Sequence, residues 1–333
     1  MKVAIVGCGN ISRLHFAAVD ENPLTELVAA VDIRPERAEK FAQQYGINAY
    51  TSYEEMLEKE KPDAVHICTP HYLHTPYAVT ALGKNINVLS EKPCSISDEE
   101  VEQLRAAQSA SGAAYAVCFQ NRYNDCVGQI IDTVKNGSMG KLKGIRAFVT
   151  WDRRSGYYVD DWHGTLEKEG GCLLINQAIH TLDLIEQIGG RCKALTAKVG
   201  NFALKDVIEG EDTASILFEL ESGASAVFYG TTAYSSNAPV IIEVAFENGT
   251  LRAEGERLFE ITREGDIISR SAKAGTAKGK QYWGSGHSAL INDFYDCIAN
   301  RRKFEIDAFS GGNAAKIVVA AYRSSQTGEK VYL

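Results

Sequence analysis

For its first 120 residues the chain keeps one rhythm, short apolar runs separated by helix-length segments, and this restricts the fold more than any other feature. Strand-like runs cover Lys2 to Val6, Leu27 to Asp32, Asp63 to Cys68, Ile86 to Leu89 and Ala114 to Phe119. Helix-like segments cover Asn10 to Asp20, Pro35 to Gln44, Tyr53 to Lys59, His74 to Leu82 and Ser97 to Ser109. Strands that are apolar on both faces and alternate with helices belong in a parallel sheet covered on both sides. Ser97, with Glu100 three residues on, makes a capping box for the last of these helices. The pattern predicts a doubly wound dinucleotide-binding fold.

Within it, Gly7-Cys8-Gly9-Asn10-Ile11-Ser12 ends the first strand and opens the first helix. Gly7 allows the tight turn, Gly9 lets a pyrophosphate approach the backbone, and Ser12 is small enough for close helix–strand packing. The helix N-terminus adds N–H donors and partial positive charge. Asp32, twenty residues beyond Ser12 at the end of the second strand, is placed to accept hydrogen bonds from an adenosine ribose and to repel a 2′-phosphate. NAD is therefore favoured over NADP, although Arg34 and Arg37 just beyond it are residues of the kind that accommodate that phosphate.

Polar residues recur where successive strands end: Thr69-Pro70-His71-Tyr72-Leu73-His74, then Glu91-Lys92-Pro93, then Gln120-Asn121-Arg122-Tyr123. In an open α/β sheet that edge is where ligands bind. Lys92, beside an X-Pro bond, is the candidate proton-handling residue of a nicotinamide-dependent dehydrogenase. Thr69, Pro70, His71, His74, Glu91 and Gln120 join the cofactor candidates.

A chain of 333 residues accommodates two domains, here divided as 1–121 and 122–333, with packing of the C-terminal helix back on the first domain left open. The formal charge of −8, with no basic stripe, argues against nucleic-acid and anionic-membrane partners. No apolar run approaches the roughly 20 residues of a membrane helix, and the N-terminus lacks the pattern of a signal peptide. The eight cysteines are scattered with no CxxC pair, the usage of buried reduced thiols, so a cytoplasmic protein is the simplest expectation. His71 and His74 are too few for a metal site, and none is expected.

Beyond residue 122 the composition turns β-rich, and Ser215, Leu217 and Glu219 alternate with Ile216, Phe218 and Leu220 as in an antiparallel strand. Glu247-Asn248-Gly249-Thr250 carries the Asn-Gly hairpin signal. Helices are expected over Val127 to Asn136, Ala289 to Ala299 and Gly312 to Ser324, with a Gly/Ala/Lys-rich loop from Lys273 to Lys280. After Gly170-Gly171 a helix is expected whose Asn176, His180 and Asp183 share one face by i, i+4 and i+7 spacing. Such a polar stripe on an apolar helix reads as a site-lining face. Trp151 to Gly164 holds two tryptophans and two tyrosines among acids and arginines, a composition suited to sugar rings.

The glycine turn, Thr69-Pro70 with His74, Glu91-Lys92-Pro93 and a later helix bearing His180 together resemble the glucose–fructose oxidoreductase/inositol dehydrogenase (Gfo/Idh/MocA) family. The resemblance spans essentially the whole chain. It implies an N-terminal Rossmann domain and a C-terminal α/β domain with an open, mostly antiparallel sheet, often the oligomer interface of a homodimer or homotetramer. It also implies chemistry on a ring carbon of a sugar or cyclitol, with Lys92 catalytic, Pro93 cis and His180 the catalytic histidine. Two departures stand out: Asn176 where relatives commonly carry an aspartate, and His163 where a Trp-Arg pair is usual. Asparagine orients a hydroxyl but carries no charge, so base work falls to Lys92 or His180. Arg122, Tyr158, Trp162, His163 and Gln177 complete the substrate-side candidates. Three function classes remain: a dehydrogenase acting on a secondary alcohol, C3 favoured; a glycosidase or lyase using transient oxidation; and a non-catalytic NAD-binding regulator.

Overall fold

The computed structural model describes residues 1–153, 155–272 and 286–333; the stretch Lys273 to Lys280 lies outside them. In chain order the elements begin β1 (Lys2–Val6), α1 (Ser12–Asp20), β2 (Glu26–Val31), α2 (Pro35–Tyr45), β3 (Asn48–Tyr50), α3 (Tyr53–Glu60), β4 (Ala64–Ile67), α4 (His74–Gly83), β5 (Asn87–Ser90), α5 (Asp98–Ala110) and β6 (Tyr115–Val117). They continue with α6 (Asp125–Asn136), β7 (Leu142–Thr150), α7 (Leu166–Glu169), α8 (Ile179–Gly189), β8 (Cys192–Gly200), β9 (Thr213–Leu220) and β10 (Ser225–Thr231). The remainder is β11 (Ile241–Phe246), β12 (Gly249–Glu254), β13 (Arg257–Ile261), β14 (Ile267–Arg270), α9 (His287–Ala299), α10 (Ala308–Thr327) and β15 (Val331–Tyr332).

Two compact units result: Met1–Phe119 with His287–Gly312, and Gln120–Gly286 with Asn313–Leu333. The first unit thus recovers α9 from the far end of the chain, a return of the kind the sequence left open for its C-terminal helices. Packing explains it, since Leu290, Ile291, Phe294 and Tyr295 of α9 are fully buried and Asn292 accepts a hydrogen bond from Asn22 at 2.7 Å.

The first unit holds a six-stranded parallel sheet in the order β3-β2-β1-β4-β5-β6. Val3, Ala4 and Ile5 of β1 and Ala64, Val65 and Ile67 of β4 are fully buried, as strands covered on both faces require. Strand order reverses between β1 and β4, the switch point at which doubly wound sheets bind ligands at the strands' carboxyl ends. Ser97 caps α5 by accepting from the Glu100 N–H at 3.2 Å, and Glu100 accepts in turn from the Ile96 N–H at 2.8 Å. The residue served in return is Ile96 rather than Ser97.

The second unit holds a nine-stranded sheet, β14-β13-β12-β11-β7-β10-β9-β8-β15, antiparallel apart from the β7–β10 pair. Along β9, Ala214, Ile216, Phe218 and Leu220 are buried while Ser215, Leu217 and Glu219 are exposed. The β11–β12 hairpin pairs Phe246 with Gly249, so its loop is Glu247-Asn248, one residue earlier than an Asn-Gly turn. Gly249, at φ +136°, opens β12. Among the described residues no helix is long and apolar enough to cross a membrane, and the eight cysteines are unbridged and buried.

Candidate active site

The carboxyl edge of the first sheet carries one half of the candidate residues. Gly7 sits at φ +93°, and a Cβ there would meet the Cys68 carbonyl at 2.5 Å, so only glycine lets the turn lie against the end of β4. A Cβ on Gly9, by contrast, would meet nothing within 4 Å. Ser12 is fully buried and donates to the Gly9 carbonyl at 2.8 Å, cinching the turn. Asn10 is exposed, and Ile11 precedes the first residue of α1. Both Asp32 carboxylate oxygens accept backbone N–H groups at 2.9 Å, one from Cys8 and one from Arg34, so the acid ties the ends of β1 and β2 together. Arg34 and Arg37 are exposed. Open space at Gly9, a helix N-terminus behind it and a carboxylate at the end of β2 fit a dinucleotide.

Pro70 leads into a short 3-10 turn, His71–Leu73, that runs straight into α4, and His71 is buried. His74, also buried, places its ring nitrogens 2.6 Å from the Pro93 carbonyl and 2.8 Å from the Thr69 carbonyl. It therefore links two loops of the edge; burial lowers its basicity against those two carbonyls. The Lys92–Pro93 bond is cis. Lys92 is half-buried just beyond β5, and its backbone N–H donates to the buried Glu91 carboxylate at 3.2 Å.

In the second unit, the continuous helix expected through Asn176, His180 and Asp183 is corrected. Leu173–Gln177 form one π turn, closed by Ala178 N–H to Leu173 carbonyl at 2.8 Å, and α8 starts only at Ile179. At the start of the π turn Glu211 accepts the N–H groups of Cys172 (3.2 Å) and Leu174 (2.7 Å) on its carboxylate. The three polar residues consequently take separate partners. Asn176 donates to Glu169 at 2.5 Å, His180 Nε2 lies 3.4 Å from Gln120 Nε2, and Asp183 receives Arg122 at 2.5 and 2.8 Å. Arg122, a substrate-side candidate, here spends its guanidinium on Asp183 in the middle of α8.

Glu169 went unassigned in the sequence, yet it is almost fully buried and its second oxygen accepts the Gly164 N–H at 2.5 Å. Glu169 thus sets a buried carboxylate against the Asn176 amide; an acid directly before a double glycine is the only signal the sequence held. Tyr157 was likewise unassigned. It accepts from Gln177 at 2.8 Å, its hydroxyl is pushed up to about 12 by burial, and Arg153 lies over its ring at 5.3 Å. Tyr158 is half-buried, its hydroxyl bonded to Thr232, and desolvation raises that hydroxyl's pKa. His163 pairs with Asp160 at 2.6 Å and lies against Trp162 with ring centres 3.7 Å apart and planes tilted by 32°.

Residues 1–119 match the model of an oxidoreductase family with an NAD-binding Rossmann fold, and residues 127–252 match a GFO/IDH/MocA C-terminal domain. The chain is similar to a D-apiose dehydrogenase of Paraburkholderia graminis, 25% identical over all of this chain and 89% of that one. It is 24% identical to a D-glucoside 3-dehydrogenase of Escherichia coli, over all of this chain and 97% of that one. Among solved structures it resembles the WlbA dehydrogenase from Bordetella pertussis in complex with NADH and UDP-GlcNAcA, with TM-score 0.87, 26% identity, and 100% and 98% of the two chains covered.

Proposed function

The chain belongs to the GFO/IDH/MocA family of NAD-binding oxidoreductases, and we propose that it transfers hydride to or from a secondary alcohol or ketone on a sugar, glycoside or cyclitol ring, with C3 of a pyranose favoured. The observation that carries this reading is Lys92, half-buried at the carboxyl end of β5 on the same sheet edge as the glycine turn and Asp32. The relatives' substrates, an apiose and a glucoside, support the carbohydrate class.

Gly7, Gly9, Ser12 and Asp32, with Thr69 and Pro70, would hold the cofactor. NAD is assigned over NADP because the Asp32 charge repels a 2′-phosphate. The chemistry NAD supplies when bound is acceptance of hydride at the nicotinamide ring. Lys92 moves the hydroxyl proton; its partial burial and a neighbouring cation would disfavour its charged form, while the adjacent Glu91 carboxylate acts the other way. His180 is the second proton-handling group, and Asn176, fixed by Glu169, orients a substrate hydroxyl. Tyr158, Trp162, His163 and Gln177 are assigned to the ring; Arg122 is assigned to holding α8.

Leu217, Val227 and Tyr229 are exposed on the sheet's outward face, with Leu217 and Val227 paired across β9 and β10, and this face is assigned to self-association. Eight unbridged cysteines suit a cytoplasmic protein.

The test supplies NAD and NADP separately with a panel of sugars, simple glycosides, cyclitols and nucleotide sugars, and follows both reduced cofactor and aglycone release. Reduced cofactor from a ring alcohol is expected, with NAD preferred. Lys92→Ala is expected to lose roughly 10²- to 10⁴-fold in turnover. Full turnover by Lys92→Ala would sink the lysine assignment, and aglycone release with no net reduced cofactor would replace the dehydrogenase by a glycosidase.

A further inference from the structure

Beneath Lys92 the first unit buries a group of side chains that the reaction as described does not use. Tyr295 of α9, His66 of β4 and His15 of α1 are fully buried, and Glu91 nearly so. They meet in sequence: Tyr295 hydroxyl to His66 Nε2 at 2.6 Å, His66 Nδ1 to His15 Nδ1 at 2.9 Å, and His15 Nε2 to Glu91 Oε1 at 3.0 Å. The other oxygen of Glu91 takes the Lys92 N–H.

Donor and acceptor counting orients this chain. Two facing Nδ1 atoms need one proton between them, and a carboxylate only accepts. If Glu91 is ionised, His15 carries its proton on Nε2 and accepts at Nδ1. His66 then carries its proton on Nδ1 and accepts at Nε2, and Tyr295 donates. Every bond points toward Glu91. In the alternative, a doubly protonated His15 forces His66 to accept at Nδ1 and to donate at Nε2, which turns the Tyr295 proton away from its hydrogen-bond partner. Around Glu91 stand also His287 of α9, its Nε2 3.7 Å from Oε1, Cys118 at the end of β6, Cys68 after β4, His74 of α4, and Lys92 itself.

We propose that Tyr295, His66 and His15 form a one-way hydrogen-bond chain that keeps Glu91 charged and in place, and that Glu91 in turn positions Lys92 and favours its ammonium form. Bonds aligned in one direction polarise one another, which strengthens the last of them where the charge sits. Consistent with this, burial alone would raise the Glu91 carboxyl, yet the bonds from His15 and His287 hold it well below the usual carboxylate range. Burial keeps His66 neutral. The three chain members are positioning residues. Their bearing on turnover rests on the proposed role of Lys92; the chain itself does not.

Two measurements on the full-length protein, without substrate, test it. Ring-nitrogen NMR of ¹⁵N-histidine-labelled protein across roughly pH 5 to 8 reads each tautomer. His66 is expected protonated on Nδ1 alone and His15 on Nε2 alone. The opposite tautomers, or a second proton entering either ring, would overturn the proposal. So would a stoichiometric metal ion in elemental analysis, because His15, Glu91 and Cys118 place donor atoms within 4.8 Å of one another. The second measurement is the pH dependence of Lys92 acylation by acetic anhydride, read by peptide mass spectrometry. Glu91→Gln is expected to shift the Lys92 midpoint downward and Tyr295→Phe to shift it the same way by less. A Tyr295→Phe protein that unfolds at the parent temperature and leaves the midpoint unmoved would overturn the coupling. A failed sugar screen beside the expected tautomers would remove the reading of the reaction and leave the chain standing.

Discussion

Replacing Asn176 by aspartate, the residue usual at this position among relatives, should make the stability of this protein depend on pH in a way the parent's does not. Asn176 and Glu169 are both buried, and the substitution puts a carboxylate oxygen where the amide nitrogen now donates. Two unit charges at the present 2.5 Å separation repel by about 7 kcal/mol at an effective dielectric constant of ~20. Keeping one proton at pH 7 on a carboxyl whose ordinary pKa is about 4 costs about 4 kcal/mol. The second figure is the smaller, so the folded pair retains a proton that the unfolded chain releases. The folded carboxyl is thus raised above its unfolded value. The variant matches the parent best below about pH 4 and loses stability as pH rises, by up to about 1.4 kcal/mol per unit. At pH 7 the loss reaches about 4 kcal/mol. Urea unfolding of parent and variant at several values between roughly pH 5 and 8 measures the difference directly. A difference that stays flat over that window would refute the reasoning, because it would mean that the two carboxylates do not share the buried space.

Other outcomes follow from single contacts. Gly7→Ala must place a Cβ 2.5 Å from the Cys68 carbonyl at φ +93°; a strained residue there costs about 1–3 kcal/mol before the clash, and NAD affinity read by fluorescence titration should fall more than about tenfold. Arg122→Met leaves the Asp183 carboxylate buried without its ion pair and should cost about 3–5 kcal/mol in urea unfolding, most of it recovered by adding Asp183→Leu. Asp32→Ser removes one negative charge; if a 2′-phosphate of charge near −2 would sit about 5 Å away in water-like surroundings, the NADP-to-NAD ratio of kcat/KM should rise by roughly tenfold or more. An unchanged ratio would place the 2′ position away from Asp32.

What the sequence determined by itself is the part of the molecule that local chemistry dictates. The apolar runs of β1 and β4 admit only a sheet buried on both faces. Gly7 and Gly9 between strand and helix, with Asp32 ending the next strand, mark the nucleotide edge, and Ser97 sets the start of α5. The alternation of β9 likewise announces which side of the second sheet is covered. These signals have periods of two to four residues and need no distant partner to be read.

The tertiary structure decided the pairings. Glu169 supplies the carboxylate that meets Asn176, and Glu211 takes the N–H groups at the start of the π turn that breaks the expected helix. Arg122 is claimed by Asp183, and Tyr295 crosses 229 positions to reach His66. None of these follows from periodicity, because a buried polar side chain is satisfied by whichever group the fold delivers within about 3 Å, and that group lies tens to hundreds of residues away. Lys92 shows both halves: its motif was legible in six residues, while the buried chain of His15, His66 and Tyr295 under Glu91 exists only once β4, α1 and α9 have packed together.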